Sequence, residues 1–350
     1  MPRTFSNLKA VGSLKSKYAA LIPGVSLCLA VGLAAHFLGT LYPLVGGAVF
    51  GIVFGIIIHN TISLPTHMES GINFTAKKIL KAAIIVLGAG LSLSQVWKTG
   101  TQSFLVIITT LAAAYAVTLI VGPMMGVKGN LKHLIGTGTA ICGASAIAAI
   151  APVLDAEDSE IAYSISTVFL FNIMAVLIFP YLGHLLGFNS EGFGIWAGTA
   201  INDTSSVVAA GYIFSDAAGA YATIVKLTRT TMIIPIALIY AAAAARRKKI
   251  EAGRSGGGEV SIVSIIPWFI LGFLGASLLN TLGILNTAAV AAANWLGKFM
   301  IVMALVAVGL QADIKKMLRT GIRPIGLGLL IWIAVAVTSL IVQHYVYGHL

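Results

Sequence analysis

An acid and two cations lie in stretches that are otherwise too apolar to hold charge. Asp203 follows Asn202 and precedes Thr204, Ser205 and Ser206, with apolar residues on both sides of the group. Lys226 and Arg229 lie three residues apart in Thr223-Ile224-Val225-Lys226-Leu227-Thr228-Arg229-Thr230-Thr231. An ionised side chain at membrane depth costs roughly 3 kcal/mol or more, so it marks an ion or substrate pathway by default. Asp203 can carry a proton, bind a cation or hold a cationic partner. It can also cap a helix that begins at Thr204, and the two roles do not exclude one another. Residues 226 and 229 share one helical face. Arg offers a planar fork of donors suited to carboxylate, sulfonate or sulfate, and Lys offers a movable point charge. Two positive charges against one acid leave a surplus for an anion to neutralise; the competing reading is that both side chains snorkel to an interface.

The elements that must position these groups contain two near-copies of one phrase. Gly138-Thr139-Ala140-Ile141-Cys142-Gly143-Ala144-Ser145 recurs sixty positions later as Gly198-Thr199-Ala200-Ile201-Asn202-Asp203-Thr204-Ser205-Ser206. Small polar residues and Gly inside an apolar run leave backbone groups unpaired, which hydrocarbon tolerates only beside protein or a watery cavity. Two such segments predict discontinuous helices at a transporter's central site. Close packing of small residues between helices is the alternative. The candidate substrate- or ion-binding residues are Thr139, Gly143, Ser145, Asn202, Asp203, Thr204, Ser205, Ser206, Lys226 and Arg229. Whether the phrases are broken crossing helices or re-entrant hairpins is open at this level. In either case helix N-termini, which attract anions, point toward the middle of the membrane.

The surrounding composition sets the solvent. Of 350 residues, 58% are hydrophobic and 9% charged, with a mean hydropathy of +0.97; soluble domains carry about 25% charged residues. The fold class expected is an all-α polytopic membrane protein forming one integral domain over residues 1–350. About eleven segments of bilayer length are predicted: roughly 19–39, 43–62, 79–97, 103–125, 131–152, 161–186, 193–213, 218–243, 262–282, 294–312 and 324–346. The net charge of +11 comes mostly from loops and therefore reads as topology, with no nucleic acid implied. Lys77, Lys78 and Lys81, then Lys128 and Lys132, then Arg246 to Arg254, then Lys315 to Arg323 fall on one side when crossings are counted from a basic N-terminus. That side is the cytoplasm, and the acidic connection Asp155 to Glu160 falls opposite. Residues 245–260 form a basic, Gly-rich cytoplasmic loop. Gly90-Leu91-Ser92-Leu93-Ser94 and Gly309-Leu310-Gln311-Ala312-Asp313 echo each other in segments of opposite direction, the trace an inverted repeat leaves.

Enzyme motifs are lacking: there is no His-Glu-x-x-His, Walker-type loop or Cys-x-x-Cys. No catalytic residue, metal site or cofactor is expected. Over Gly138 to Pro152 and Gly198 to Pro235, with Asn202-Asp203-Thr204 and Lys226-Leu227-Thr228-Arg229 its most specific parts, the chain resembles the bacterial YeiH family, whose members carry a sulfate-exporter label. That family is similar to the cation/proton antiporter and anion transporter group, whose Gly-Leu-x-x-Asp segments resemble the Gly90 and Gly309 phrases; position 94 is Ser in place of Asp. The resemblance implies a secondary transporter in the bacterial inner membrane. The expected partners are the lipid bilayer, a small inorganic or organic anion and a proton or monovalent cation, with a homodimer also allowed. A cation/proton antiporter using Asp203 and a non-transporting membrane sensor or enzyme are the competing expectations.

Overall fold

The computed structural model describes residues 19–42, 46–252, 268–313 and 321–347, which are helical with short connections and no strand. In chain order the helices are α1 (Ile22–Leu41), α2 (Gly46–Thr61), α3 (Glu69–Phe74), α4 (Leu80–Gly88), α5 (Leu93–Met124), α6 (Gly129–Ala140), α7 (Ala144–Ile150) and α8 (Asp158–Leu185). They continue as α9 (Ser190–Ala200), α10 (Thr204–Phe214), α11 (Asp216–Thr231), α12 (Ile233–Ala252), α13 (Trp268–Thr281), α14 (Thr287–Gly309) and α15 (Ile322–Tyr347). Among the described residues, six helical segments are long and apolar enough to cross a membrane: α1, α5, α8, α14, α15 and the run Asp216–Ala244 through α11 and α12. Their outward faces carry Phe37, Ile120, Ile322 and Ile333, all exposed. Helix is the form that pairs every backbone group within its own segment, as a hydrocarbon solvent demands.

Two compact units divide the chain. The first holds Met1–Leu87 and Thr287–Asp313, and glycines set its packing. A Cβ on Gly55 would stand 2.8 Å from the Gly309 Cα, and one on Gly24 2.7 Å from the Gly71 Cα. Such approaches bring α2 against α14 and α1 against α3, the small-residue packing that replaces the hydrophobic drive in lipid. Asn60 Nδ2 donates to Ala312 O at 2.8 Å and ties the end of α2 to the turn after α14. The expected third span began at residue 79, yet helix already runs through α3 and a π turn at Thr75–Ile79 into α4. Lys77 and Lys78 are part of that helix, with exposed side chains, and so do not precede it.

The second unit, Gly88–Asn286 with Ile314–Leu350, carries both repeated phrases. Each phrase breaks a helix where Gly, Asn and Asp stand. In the first, α6 ends at Ala140, Ile141 leaves the helical region at φ −117°, ψ −85°, and Gly143 takes φ +69°, which L side chains rarely adopt. In the second, α9 ends at Ala200, Ile201 is extended, and Asp203 starts α10. Both segments turn back on themselves. Asn130 Nδ2 donates to Leu154 O at 3.1 Å, so the chain leaves the first where it entered. Ser190 Oγ and Ser215 Oγ lie 2.8 Å apart at the base of the second.

The two phrases are therefore helical hairpins, residues 129–154 and 189–215. They open at opposite ends of α8, whose 28 residues extend about 42 Å. Glu160 in the first turn of α8 accepts from Leu131 N at the base of the first hairpin. Asn189, four residues past the end of α8, caps the first arm of the second. With a hairpin in place of a crossing, the acidic connection Asp155 to Glu160 lies at the same end as Lys128 and Lys132, not opposite as expected. The Gly90 and Gly309 phrases both follow a helix end, but out of register: α4 ends at Gly88, two residues before Gly90, with Leu91 N bonding Gly88 O, whereas α14 ends at Gly309 itself, with Ala312 N bonding Gly309 O. Residues 315–320 of the basic cluster Lys315 to Arg323, and most of the 245–260 loop, from residue 253 on, lie outside the described residues.

Candidate functional site

The hairpins meet tip to tip. A Cβ on Gly143 would stand 3.4 Å from the Asp203 Cβ, and Asp203 N donates to Asn172 Oδ1, midway along α8, at 3.0 Å. The loops therefore cross at the depth of the centre of α8, the arrangement that opposed half-length helices produce.

Lys226 and Arg229, both fully buried, fasten this crossing. Lys226 Nζ donates to Ile141 O at 2.7 Å and to Ile201 O at 2.9 Å. Arg229 donates through Nη2 to Thr139 O at 3.0 Å, through Nη1 to Thr199 O, and through Nε to Ala140 O at 2.6 Å. Ile141 and Ile201 hold the same place in the two phrases, as do Thr139 and Thr199. One ammonium and one guanidinium thus each bridge equivalent carbonyls of the two copies. These carbonyls end α6 and α9, where helix dipoles gather about half a negative charge each. The shared helical face expected for the pair holds, and snorkelling does not occur: both cations point into the fold, at backbone.

Asp203 takes the capping geometry. Its Oδ2 accepts from Ser205 N at 2.9 Å and from the Ser205 hydroxyl in a short contact. The α10 N-terminus, offered to a ligand by the sequence, is closed by the chain's own carboxylate. Asp203 remains part-exposed, whereas Thr204, Ser205 and Ser206 are buried behind it. Ser145 and Ala144, at the start of α7, are exposed although they flank the first tip. Thr139 and Asn202 are fully buried, and their side chains stand apart from all these others. The Thr139 hydroxyl and both amide atoms of Asn202 have no hydrogen-bond partner among the described residues. The counterpart of Thr139, Thr199, is fully engaged with Ile195 O and Ser339 Oγ.

All ten residues singled out in the sequence thus lie in or beside the two tips and the helix that joins them. Sequence reasoning missed the acceptors, Thr139 O, Ala140 O, Ile141 O, Thr199 O and Ile201 O, because a carbonyl leaves no mark in residue type; the register of the two copies was the available signal. Asn172, the lone amide of the apolar helix α8, holds the second tip through its Oδ1. Alongside α6 a further polar string runs from His133 Nδ1 to Tyr240 OH at 3.2 Å, with Tyr115 OH donating to Thr137 Oγ1 at 3.1 Å.

Opposed helical hairpins stapled by buried cations within an all-helical, lipid-facing chain define an integral membrane protein. Comparison with known proteins supplies the family. Residues 23–328 match the model described as conserved hypothetical protein 698. A UPF0324 membrane protein of Clostridium tetani is 41% identical over 330 residues, covering 91% of this chain and 96% of its own length. Relatives bearing the same description in Fusobacterium nucleatum (40% over 340 residues; 91% and 96%) and Streptococcus pyogenes (42% over 335 residues; 94% and 98%) are similar to it across the same extent. The chain belongs to this UPF0324 family of bacterial membrane proteins.

Proposed function

We propose that the chain is a secondary active transporter of a small anion (sulfate, sulfonate or similar), working by alternating access with a proton or cation as coupling ion. In this reading about eleven segments lie in the bacterial inner membrane with the N-terminus cytoplasmic, and the two hairpins are re-entrant members of an inverted repeat. The observation that carries it is the fully buried cation pair at the crossing of two hairpins entered from opposite ends. Irregular backbone at such depth is tolerated where it lines a site, and opposed half-helices are the usual form of that site. Two cations face one carboxylate and two helix ends of about half a charge each, which together offset the pair, so an anion binds there by taking over part of these partners. Ser145 and Asp203 are the polar groups of the tips that reach open space.

A cation/proton antiporter is the second reading, and one observation favours it. Asp203 is accessible, whereas the donors of Lys226 and Arg229 are directed at carbonyls. Asp203→Asn in protein reconstituted into vesicles separates the two. Anion counterflow that persists while proton coupling disappears supports the first; loss of all flux in a folded variant supports the second. A wild-type protein that moves neither anions nor cations would leave a sensor or an enzyme as the remaining class.

A further inference from the structure

The groups left unused at the crossing specify a ligand more narrowly than charge does. Asn202 is fully buried, immediately before the residue that caps α10 and immediately after the carbonyl that Lys226 holds. Both Nδ2 and Oδ1 lack partners among the described residues, and so does the Thr139 hydroxyl on the first hairpin. Buried polar atoms left so are rare enough to require an explanation, of which a bound ligand is one. An amide presents a donor face and an acceptor face together. A bare cation would engage the oxygen alone and strand the amide hydrogens. A fully deprotonated oxyanion would engage the hydrogens alone and strand the oxygen. A ligand that satisfies both must accept at one atom and donate from another.

Charge narrows the class further. The Lys226 and Arg229 donors that would hold a doubly charged ion are directed to five backbone carbonyls. The part-exposed carboxylate of Asp203 next door opposes a second negative charge. On the reading of an anion transporter given above, we infer that the substrate is a singly charged oxyanion that keeps one O–H group, of the hydrogencarbonate or hydrogen sulfite kind. Asn202 recognises it by accepting from the O–H and donating to a neighbouring oxygen.

Matched pairs of ions test this on the purified full chain, by thermal stabilisation and by counterflow in vesicles. Hydrogencarbonate is set against nitrate, both planar and singly charged. Hydrogen sulfite is set against methanesulfonate. The O–H member of each pair is expected to bind roughly tenfold tighter or better, the scale of one buried polar group left unpaired. Asn202→Leu is expected to erase that preference, and to unfold no earlier than wild type without ligand, because an unpartnered buried amide contributes nothing to the fold. Equal binding within each pair, tighter binding of sulfate, or a preference that survives in a folded Asn202→Leu protein overturns the inference and leaves anion transport standing. Failure of every anion to bind or move overturns both. Should Asn202→Leu not fold, the ratios measured on the unaltered chain decide the matter.

Discussion

At the scale of single residues, Arg229 is the group whose geometry admits the fewest substitutes. Its guanidinium reaches Thr139 O, Ala140 O and Thr199 O from three nitrogens at once, a fork that an ammonium cannot reproduce. Hydrogen bonds from charged groups contribute about 1.5–3 kcal/mol each, and a stranded buried acceptor costs more than the bond alone. Arg229→Lys is therefore expected to lower stability by several kcal/mol, about 3 or more, seen as a fall of the unfolding midpoint in detergent; a midpoint within a degree of wild type would contradict the stapling role. The identity of this residue as important was legible, since buried charge in an apolar run has few uses. What it bonds to was not, because its acceptors are main-chain atoms brought together only by the crossing of two distant segments.

At the scale of elements, the positions of both breaks were legible and their direction was not. Gly143 and the Asn202-Asp203 pair announce irregular backbone through residue type alone, and the helices stop within three residues of them. Whether the chain then goes on or turns back rests on contacts at the bases, Asn130 to Leu154 and Ser190 to Ser215, which no local pattern records. The second base gives a sharp test. Ser190→Cys with Ser215→Cys should form a disulfide under mild oxidation, visible as a mobility shift reversed by reductant. A continuous helix would hold these positions about 38 Å apart, so failure to cross-link under conditions that cross-link a neighbouring control pair would argue for a crossing helix. The short lengths of α6, α9 and α10, each about 16–18 Å, account for two of the expected segments that are not among the six full-length spans of the described residues; the others fall at the short helices α2, α4 and α13. Half-length arms are apolar and buried, and a bilayer-length window cannot tell two of them from one whole crossing.

At the scale of the whole molecule, the hairpin geometry reassigns a face. Residues between α7 and α8 share the side of Lys128 and Lys132, and the connection between α8 and α9 lies on the other. Cys28 and Cys142 are both buried, at 0% and 2% exposure, so single introduced cysteines can be labelled against a low background. Ser159→Cys should be shielded from an impermeant thiol reagent in intact cells and Leu186→Cys should react, since both native side chains are exposed and basic loops stay inside. Labelling of both from the same face would refute the opposed hairpins.

The single ammonium of Lys226 has a mechanical implication. Because it grips the same rung of each copy, neither tip can slide past the other without stranding a carbonyl in a dry interior. The two hairpins and α11 are consequently bound to travel as one block, and any cycle of opening must find its hinges elsewhere in the chain.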